Sequence, residues 1–320
     1  MRIAIIGATS FIGGALMAQL VEQGHHVTPV YRRQPAGGGV WWGVQDKIQG
    51  DIRDDSVLDA IVSRAPDVCV YLISLNHMDS AASISQVLPV NLSPMWRLFE
   101  RLSQNDWRGK IIYLSTQQVY GLIGGDTVDE LYPARPRNQY ALTHYMSERV
   151  CEYYDRNYEF SIVSVRLSNS YGVPAFKSAD CWWTVINDLA KTLTETGMVT
   201  LKSDGSPLRD FVNVEDVALF ISKLCTKQHI EDRIINLGSG NTSSIYEVAL
   251  IVQQEYKKRT GKICRIIRQG AEEIIAPPPA GERFRYSVGL AERYGFSQRI
   301  DLETGIKDLF DYIDQQAIEG

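Results

Sequence analysis

The sequence predicts an α/β protein with a doubly wound parallel sheet. Short apolar runs, such as residues 3–6 and 111–114, are typical of strands that are buried on both faces. Stretches with helical periodicity separate these runs, as expected when the crossover between parallel strands is a helix. A glycine-containing turn at residues 7–14 joins the first strand to the first helix, which is the third feature of this fold class.

Length, composition and charge restrict the class of protein. The 320-residue chain is long enough for a nucleotide-binding domain with a smaller second lobe. Its net charge of -5, without runs of like charges, predicts no nucleic-acid partner. No stretch approaches the roughly 20 apolar residues that cross a bilayer. Met1 leads into a strand rather than a secretion leader. We therefore expect a soluble cytoplasmic enzyme that has no membrane partner.

The cysteines indicate neither a disulfide framework nor a metal site. Five cysteines lie far apart in the sequence, and their number is odd. Small buried residues are the expected role for such cysteines. The sequence therefore predicts no bound metal.

The turn after the first strand predicts a dinucleotide site. Its glycines allow the backbone to approach a pyrophosphate, and N–H groups at the start of the next helix stabilise the phosphate charge. Strand, turn and helix follow one another in the order that this interpretation requires. The predicted cofactor contacts in the turn are Gly7, Thr9, Ser10, Phe11, Ile12 and Gly13.

The end of the second strand, at residues 26–31, predicts which dinucleotide binds. An acidic residue here accepts hydrogen bonds from the 2′-hydroxyl of NAD, whereas an arginine accommodates the 2′-phosphate of NADP. The strand ends in Tyr31, Arg32 and Arg33, and no carboxylate follows before Asp46. Guanidinium groups suit phosphate oxygens. We expect NADP(H), with NAD(H) as the alternative if both arginines merely face solvent.

Two later segments carry a resemblance to a known family. Residues 114–121 read LSTQQVYG at the end of a predicted strand, and residues 138–148 read NQYALTHYMSE at the start of a predicted helix. Together they resemble the extended short-chain dehydrogenases/reductases, the branch of nucleotide-sugar epimerases, dehydratases and ketoreductases. The resemblance extends over nearly the whole chain. It implies a Rossmann-type sheet with a smaller C-terminal α/β substrate lobe.

The resemblance implies a proton-transfer site on these segments. Thr116 stands at the family's hydroxyl position and would hold the reacting sugar oxygen. Tyr140 would exchange a proton with that oxygen while hydride moves to or from the nicotinamide. The family's lysine, four residues after the tyrosine, is His144 in this chain. A histidine can still hydrogen-bond the nicotinamide ribose, but it loses its charge above a pKa near 6.5.

The histidine leaves three interpretations open. His144 is a working replacement for lysine, a sign of reduced or specialised activity, or the mark of a dinucleotide-binding sensor or assembly subunit without catalysis. A reductase tolerates the change best. In a reductase Tyr140 donates a proton, and a neutral phenol already has the required form.

Further cofactor contacts are implied along the sheet. Asp51 belongs to a Gly-Asp-x-Arg-Asp segment whose aspartate contacts the adenine in the family, and residues 72–74 would pass along the cofactor. The family's turn has a glycine where this chain has Ser10, so the phosphate loop is expected to sit slightly differently. The contacts implied beyond the turn are Tyr31, Arg32, Arg33, Asp51, Ile52, Leu72, Ile73, Ser74, Asn91, Tyr140 and His144.

Substrate contacts are implied by matches to the family's nucleotide-sugar segments at residues 163–172 and 208–218. Gln117 and Gln118 stand where sugar-nucleotide 4,6-dehydratases have Asp-Glu. Because amides carry no transferable proton, a dehydratase of that type is not expected. At the second diphosphate position, Arg285 fits the spacing better than Arg283. The implied substrate-binding residues are Thr116, Gln117, Asn169, Arg209 and Arg285.

The same matches predict the domain division. Residues 1–170, with 211–238 returning to them, would form the Rossmann dinucleotide-binding domain. Residues 171–210 and 239–320 would form the nucleotide-sugar-binding lobe.

The resemblance also implies a homodimer, held by a helix over residues 84–102 and by the helix that carries Tyr140. The leading hypothesis for function is NADPH-dependent reduction of a keto group, at C4, on a nucleotide-linked deoxysugar. The alternative is an NAD-dependent C4 epimerase of a nucleotide sugar, in which Tyr140 first removes a proton and later returns it.

Overall fold

The computed structural model of the chain describes residues 1–36, 43–81, 83–268 and 282–319. Its main sheet has seven parallel strands. These strands and the shorter ones outside the sheet are numbered together in chain order. The strands are β1 (Arg2–Ile6), β2 (His26–Tyr31), β3 (Ile48–Gln49), β4 (Val68–Tyr71), β5 (Lys110–Thr116), β6 (Thr127–Val128), β7 (Ser161–Leu167), β8 (Asn169–Tyr171), β9 (Val199–Leu201), β10 (Leu208–Asn213), β11 (Ile234–Leu237), β12 (Thr242–Ser244), β13 (Ile266–Arg268) and β14 (Arg285–Tyr286). The order in the main sheet is β11-β7-β5-β4-β1-β2-β3.

Helices cover both faces of this sheet. They are α1 (Phe11–Glu22), α2 (Asp55–Ser63), α3 (Ile84–Asn91), α4 (Ser93–Gln104), α5 (Gln139–Asn157), α6 (Val185–Thr196), α7 (Val214–Thr226), α8 (Ile245–Thr260), α9 (Gly289–Arg293) and α10 (Leu302–Glu319). Strand residues alternate between the faces. In β1, Ile3 and Ile5 pack with α1 and α7, whereas Ala4 and Ile6 pack with α2 and α4. The predicted Rossmann-type doubly wound sheet is confirmed.

The prediction of a single helix over residues 84–102 is wrong in one respect, because the structure has two helices there, α3 and α4. Leu92, between them, departs from helical geometry with φ -122° and ψ -55°. Pro94 lies in the first turn of α4. A proline has no N–H with which to continue a helix, but it is well suited to begin one.

A second layer of structure extends beyond the main sheet. Strands β8, β10 and β12 form a three-stranded sheet, in which Phe211 of β10 pairs with Asn169 of β8. Helices α6, α8 and α10 enclose a separate core around Leu193 and Phe310. Strand β11 belongs to the main sheet, and α7 packs against α1. The residue limits of the two domains stay a prediction.

The cysteines are part of the packed interior. All five are buried and none is in a disulfide bond. In the described part of the chain, no helix is both long and apolar enough to pass through a bilayer.

Candidate active site

A pocket of about 730 Å³ opens at the carboxyl ends of the central strands. Strand β1 lies there between β2 and β4, so the chain crosses over the sheet in opposite directions on the two sides of β1. Such a switch point is where open α/β sheets bind their ligands. The predicted residues that lie on the pocket wall are Gly7, Thr9, Ser10, Phe11, Ile12, Tyr31, Arg32, Arg33, Asp51, Ile52, Leu72, Ile73, Ser74, Thr116, Gln117, Tyr140, His144 and Asn169.

The glycine turn brings backbone N–H groups to this wall. Gly7 has φ +99°, a conformation that residues with side chains rarely adopt. Ser10 caps α1, and its hydroxyl accepts a hydrogen bond from Gly13 N at 3.1 Å. The start of α1 therefore faces the pocket with the positive end of its dipole, which fits the pyrophosphate of a dinucleotide.

Gly13 has a different position from the one predicted. It lies behind the turn, in the first turn of α1, where an added Cβ would approach Gly7 O to 2.2 Å. Its role in the structure is therefore to allow close packing of helix and turn. Gly13 is not among the residues of the pocket wall, and its contact with a cofactor stays a prediction.

Tyr140 and Thr116 meet at the inner end of the pocket. Thr116 ends β5, and Tyr140 is the second residue of α5. Asn138 caps α5 by accepting from Ala141 N at 2.8 Å, and its amide nitrogen donates to Gln118 at 3.1 Å. This cap fixes the start of the helix to the short segment after Thr116, so the two hydroxyl groups are held close together.

The Tyr140 hydroxyl is in a largely uncharged environment. Burial raises its pKa above the ordinary value near 10, although hydrogen bonds with the hydroxyls of Thr116 and Ser74 act in the opposite direction. The phenol is therefore neutral at physiological pH. The proton that a donor needs is therefore present, whereas the phenolate that would act as a base is scarce.

His144 lies one helical turn after Tyr140, with a distance of 4.6 Å between the ring centres. The imidazole is 4% exposed, and burial lowers its pKa to about 3. Its Nδ1 lies 2.7 Å from the hydroxyl of Tyr113. Its Nε2 has no hydrogen-bond partner among the described residues. The position of the family's lysine is therefore occupied by a neutral imidazole with one nitrogen available to a ligand.

An ion pair lies directly behind these residues. Glu148, the next residue along the same stripe of α5, accepts from Arg166 Nε at 2.9 Å and Nη2 at 2.7 Å. It also accepts from the hydroxyl of Ser115 at 2.7 Å. Both charged side chains are almost fully buried. Ser115 and Tyr113 were not among the predicted site residues. The period-2 alternation of β5 could have placed both on the face that packs against α5.

The end of the pocket beside β2 contains a group of arginines. Arg53 donates to both carboxylate oxygens of Asp51, at 2.9 and 2.8 Å, and holds the pKa of Asp51 at about 2. Arg32 Nη1 lies 4.0 Å from the same carboxylate. Asp46, the first carboxylate after β2, accepts from Thr28 and Arg64 at 2.9 Å each. It is therefore engaged away from the end of β2.

Asn91 is placed differently from its predicted role. Its neighbour Val90 helps to form the pocket wall, but the Asn91 side chain is buried behind it. The amide accepts from Leu75 N at 2.8 Å and donates to Thr143 at 3.0 Å. These bonds connect the loop after β4 to α3 and α5. The bonds give Asn91 a bracing role, and its contact with a cofactor stays a prediction.

The structure does not bring the two predicted diphosphate arginines onto the described wall of the pocket. Arg209 is exposed on β10, where Nη1 donates to the carbonyl of Leu208 at 2.8 Å. Arg285 is exposed on β14. Arg283 pairs with Glu247 rather than with the pocket. Asn169, which does reach the wall, donates to the carbonyl of Asp210 at 2.9 Å.

Comparisons with known proteins agree with the fold. A family model described as "NAD dependent epimerase/dehydratase family" matches residues 3–238. A putative UDP-glucose 4-epimerase from Methanocaldococcus jannaschii is 25% identical, with 97% of this chain and 98% of the relative covered. A dTDP-glucose 4,6-dehydratase from Streptomyces antibioticus is 24% identical, with 99% and 94% covered.

Solved structures show the same architecture. The UDP-glucuronic acid 4-epimerase from Bacillus cereus, in complex with UDP-glucuronic acid and NAD, superposes with a TM-score of 0.81. The two sequences are 22% identical, and 99% of this chain and 100% of that chain are covered. At this identity the likeness establishes the fold.

Proposed function

The chain belongs to the NAD dependent epimerase/dehydratase family, and from this we propose that it reduces a keto group of a nucleotide-linked deoxysugar with NADPH. The observation that carries the proposal is the uncharged surroundings of Tyr140. A neutral His144 stands where a cation would lower the phenol's pKa, and burial raises that pKa. At neutral pH the phenol therefore carries the proton that reduction needs, and little phenolate is present to remove a proton, as oxidation needs.

The proposed roles follow from the geometry. Thr116 holds the carbonyl oxygen, and Tyr140 gives its proton to that oxygen as the carbon is reduced. The bound nicotinamide supplies the hydride. Gln117 is buried on the wall, and its Oε1 has no partner among the described residues. It is a candidate acceptor for a sugar hydroxyl. The names of both sequence relatives specify chemistry at the 4 position, which supports C4 as the reacting carbon.

The preference for NADPH rests on charge at the end of β2. Arg32 and Arg33 line the pocket, Arg53 adds a third guanidinium, and Asp51 supplies one carboxylate. Three positive charges and one negative charge leave an excess of two, which favours a 2′-phosphate. Asp46 is engaged with Thr28 and Arg64 and is not among the residues of the pocket wall.

Replacing Arg32 and Arg33 together with alanine tests this preference. We expect the affinity for NADPH to fall by at least about tenfold, because charge-assisted hydrogen bonds contribute about 1.5–3 kcal/mol each. The affinity for NADH should change little. Fluorescence titration of both dinucleotides measures the effect, and equal losses for the two would refute the assignment of the arginines to a 2′-phosphate.

Tyr140→Phe tests whether the protein is an enzyme. With a nucleotide-linked 4-keto sugar as substrate, we expect kcat to fall by about 100- to 10,000-fold, the usual contribution of a positioned proton donor. Dinucleotide binding should be retained, since the ring is kept. A sensor or assembly subunit would show no turnover in the unaltered protein and no dependence of binding on the Tyr140 hydroxyl.

An NAD-dependent C4 epimerase is the second candidate. The relative from Methanocaldococcus jannaschii, which this chain covers almost completely, supports it. An epimerase converts C4 isomers without net consumption of dinucleotide, whereas a reductase oxidises one NADPH for each sugar. Isomer formation with NAD that remains bound through purification would replace the reductase proposal. The amides Gln117 and Gln118 argue against 4,6-dehydration by an acid pair at these positions.

We also propose a homodimer formed through α4 and α5. Exposed apolar side chains on these neighbouring helices are Trp96, Leu142, Met146 and Tyr153. On α5 they recur at positions 142, 146 and 153, which places them along one stripe. An exposed apolar stripe of this kind commonly marks a protein interface. Light scattering of the purified protein distinguishes the mass of a dimer from that of a monomer.

A further inference from the structure

Tyr113 approaches His144 from the interior of the protein. It lies on β5, three residues before Thr116, and its hydroxyl is 2.7 Å from His144 Nδ1. We propose that Tyr113 is a positioning residue: its O–H donates to Nδ1, fixes the proton of His144 on Nε2 and thereby directs an N–H donor into the pocket. The inference rests on the proposed cofactor site, because the nicotinamide ribose would accept from this donor.

The chemistry of the two partners favours this direction of the hydrogen bond. A phenol is a stronger acid than a neutral imidazole, and an imidazole nitrogen is a better acceptor than a phenol oxygen. The separation of 2.7 Å is typical of an O–H donor and lies below the usual N–H···O distance of about 2.9–3.0 Å. Burial also raises the pKa of Tyr113, so its proton remains available for donation.

The other ring nitrogen of His144, Nε2, is consistent with the same direction of the hydrogen bond. A neutral imidazole carries one N–H, and if Nδ1 accepts, Nε2 must carry the proton. Nε2 is buried and has no partner among the described residues, although His144 lies on the pocket wall. A buried donor without an acceptor costs about 1–3 kcal/mol. A ligand oxygen at this place would recover that free energy.

Ser147 provides the competing arrangement. Its hydroxyl interacts with Tyr113 and lies 3.3 Å from the carbonyl of Asn91, to which it donates. If Tyr113 donated to Ser147, then Nδ1 of His144 would carry the proton and Nε2 would be an acceptor. The two arrangements present opposite groups to the pocket, so the tautomer of His144 decides between them.

Tyr71 supplies a matched control. It lies on β4 in register with Tyr113, and the centres of the two rings are 6.3 Å apart. Both side chains are buried in the same core. The Tyr71 hydroxyl has no hydrogen-bond partner among the described residues. Tyr71→Phe therefore removes the same atom as Tyr113→Phe, from the same layer, without removing a bond to His144.

The direct test is nitrogen NMR of protein labelled with ¹⁵N-histidine, without dinucleotide. We expect the unaltered protein and Tyr71→Phe to show His144 with a protonated Nε2 and a bare Nδ1. Tyr113→Phe should populate both tautomers. A protonated Nδ1 in the unaltered protein would overturn the proposal even if the Tyr113 variant failed to fold, and so would an unchanged His144 spectrum in Tyr113→Phe.

Dinucleotide binding tests the second half of the inference. We expect Tyr113→Phe to bind NADPH about three- to tenfold more weakly, as for the loss of one well-aligned hydrogen bond. Tyr71→Phe should stay within about twofold of the unaltered protein. Equal affinities for all three proteins would overturn the positioning role. A protein with the expected tautomer that bound neither NADPH nor NADH would instead refute the proposed function.

Discussion

His144 and Glu148 occupy successive turns of α5, and both are almost fully buried, with 4% and 2% of their surfaces exposed. Among the described residues, the one hydrogen-bond partner of His144 is the phenol of Tyr113, and burial lowers the pKa of His144 to about 3. Glu148 has a guanidinium, a hydroxyl and a second arginine within 4 Å. Burial removes a charge when the partner is neutral and preserves a charge when the partner carries the opposite sign.

The two buried side chains on this face of α5 therefore have different roles. Burial acts against the charge of Arg166, but the hydrogen bonds that it donates to Glu148 raise its pKa. The guanidinium therefore stays charged, and the pair braces β5 against α5 and β7. One turn earlier, an uncharged imidazole leaves Tyr140 protonated. The charge that holds the site together is kept away from the group that transfers the proton.

The largest effect is expected from breaking the ion pair. Glu148→Gln leaves Arg166 buried beside a neutral amide, which should lower the free energy of unfolding by about 3–5 kcal/mol. Glu152→Gln is the control, because Glu152 pairs at the surface of the same helix with Arg149 and Arg156. It should cost no more than about 1 kcal/mol. Urea denaturation measures both, and similar losses would contradict the distinction between buried and surface charge.

Lowering the pH is expected to have a smaller effect on the free energy of unfolding. His144 binds a proton more readily when the chain is unfolded, since its pKa is 6.5 there and about 3 in the folded protein. Stability from this group is complete above pH 6.5 and is lost as the pH falls towards 3, by about 3 kcal/mol at pH 4.

The control for acid sensitivity is His144→Gln, which keeps a polar side chain without titration. The difference in unfolding free energy between the two proteins should shrink steadily from pH 6.5 to 4, because only the unaltered protein loses the contribution of His144. A difference that does not change with pH would show that His144 is not responsible.

The smallest effect is expected from placing a positive charge at position 144. In His144→Lys, an ammonium near Tyr140 should lower the phenol's pKa by one unit or more. Oxidation of the reduced sugar should then run about tenfold faster from neutral to alkaline pH. His144→Met, uncharged and similar in size, is the control. If the pH profile of the lysine variant matched that of the unaltered protein, the charge at this position would not limit Tyr140.

Much of the fold could be predicted because it depends on local sequence. The observed bounds of β2 coincide with the strand predicted at residues 26–31. Strand alternation and helical period are set by neighbours a few residues apart. The break between α3 and α4 was missed, since an apolar pattern continues through Pro94.

The candidate site could also be predicted only in part. The family resemblance grouped Thr116, Tyr140 and His144, and the structure brings them to one pocket. The resemblance also marked His144 as the unusual residue. It assigned Arg209 and Arg285 to the substrate as well, but neither lies on the described pocket wall, because the position of an exposed arginine depends on how β10 and β14 pack against distant strands.

What only the tertiary structure decided is the partner of each buried group. The sequence shows a histidine and a glutamate four residues apart, and nothing local tells which side chains they meet. Their partners Tyr113 and Arg166 lie 31 and 18 residues away and arrive through β5 and β7. The chain order determined which residues face the pocket, whereas long-range packing determined the partners of the buried side chains, since desolvation and pairing act through space.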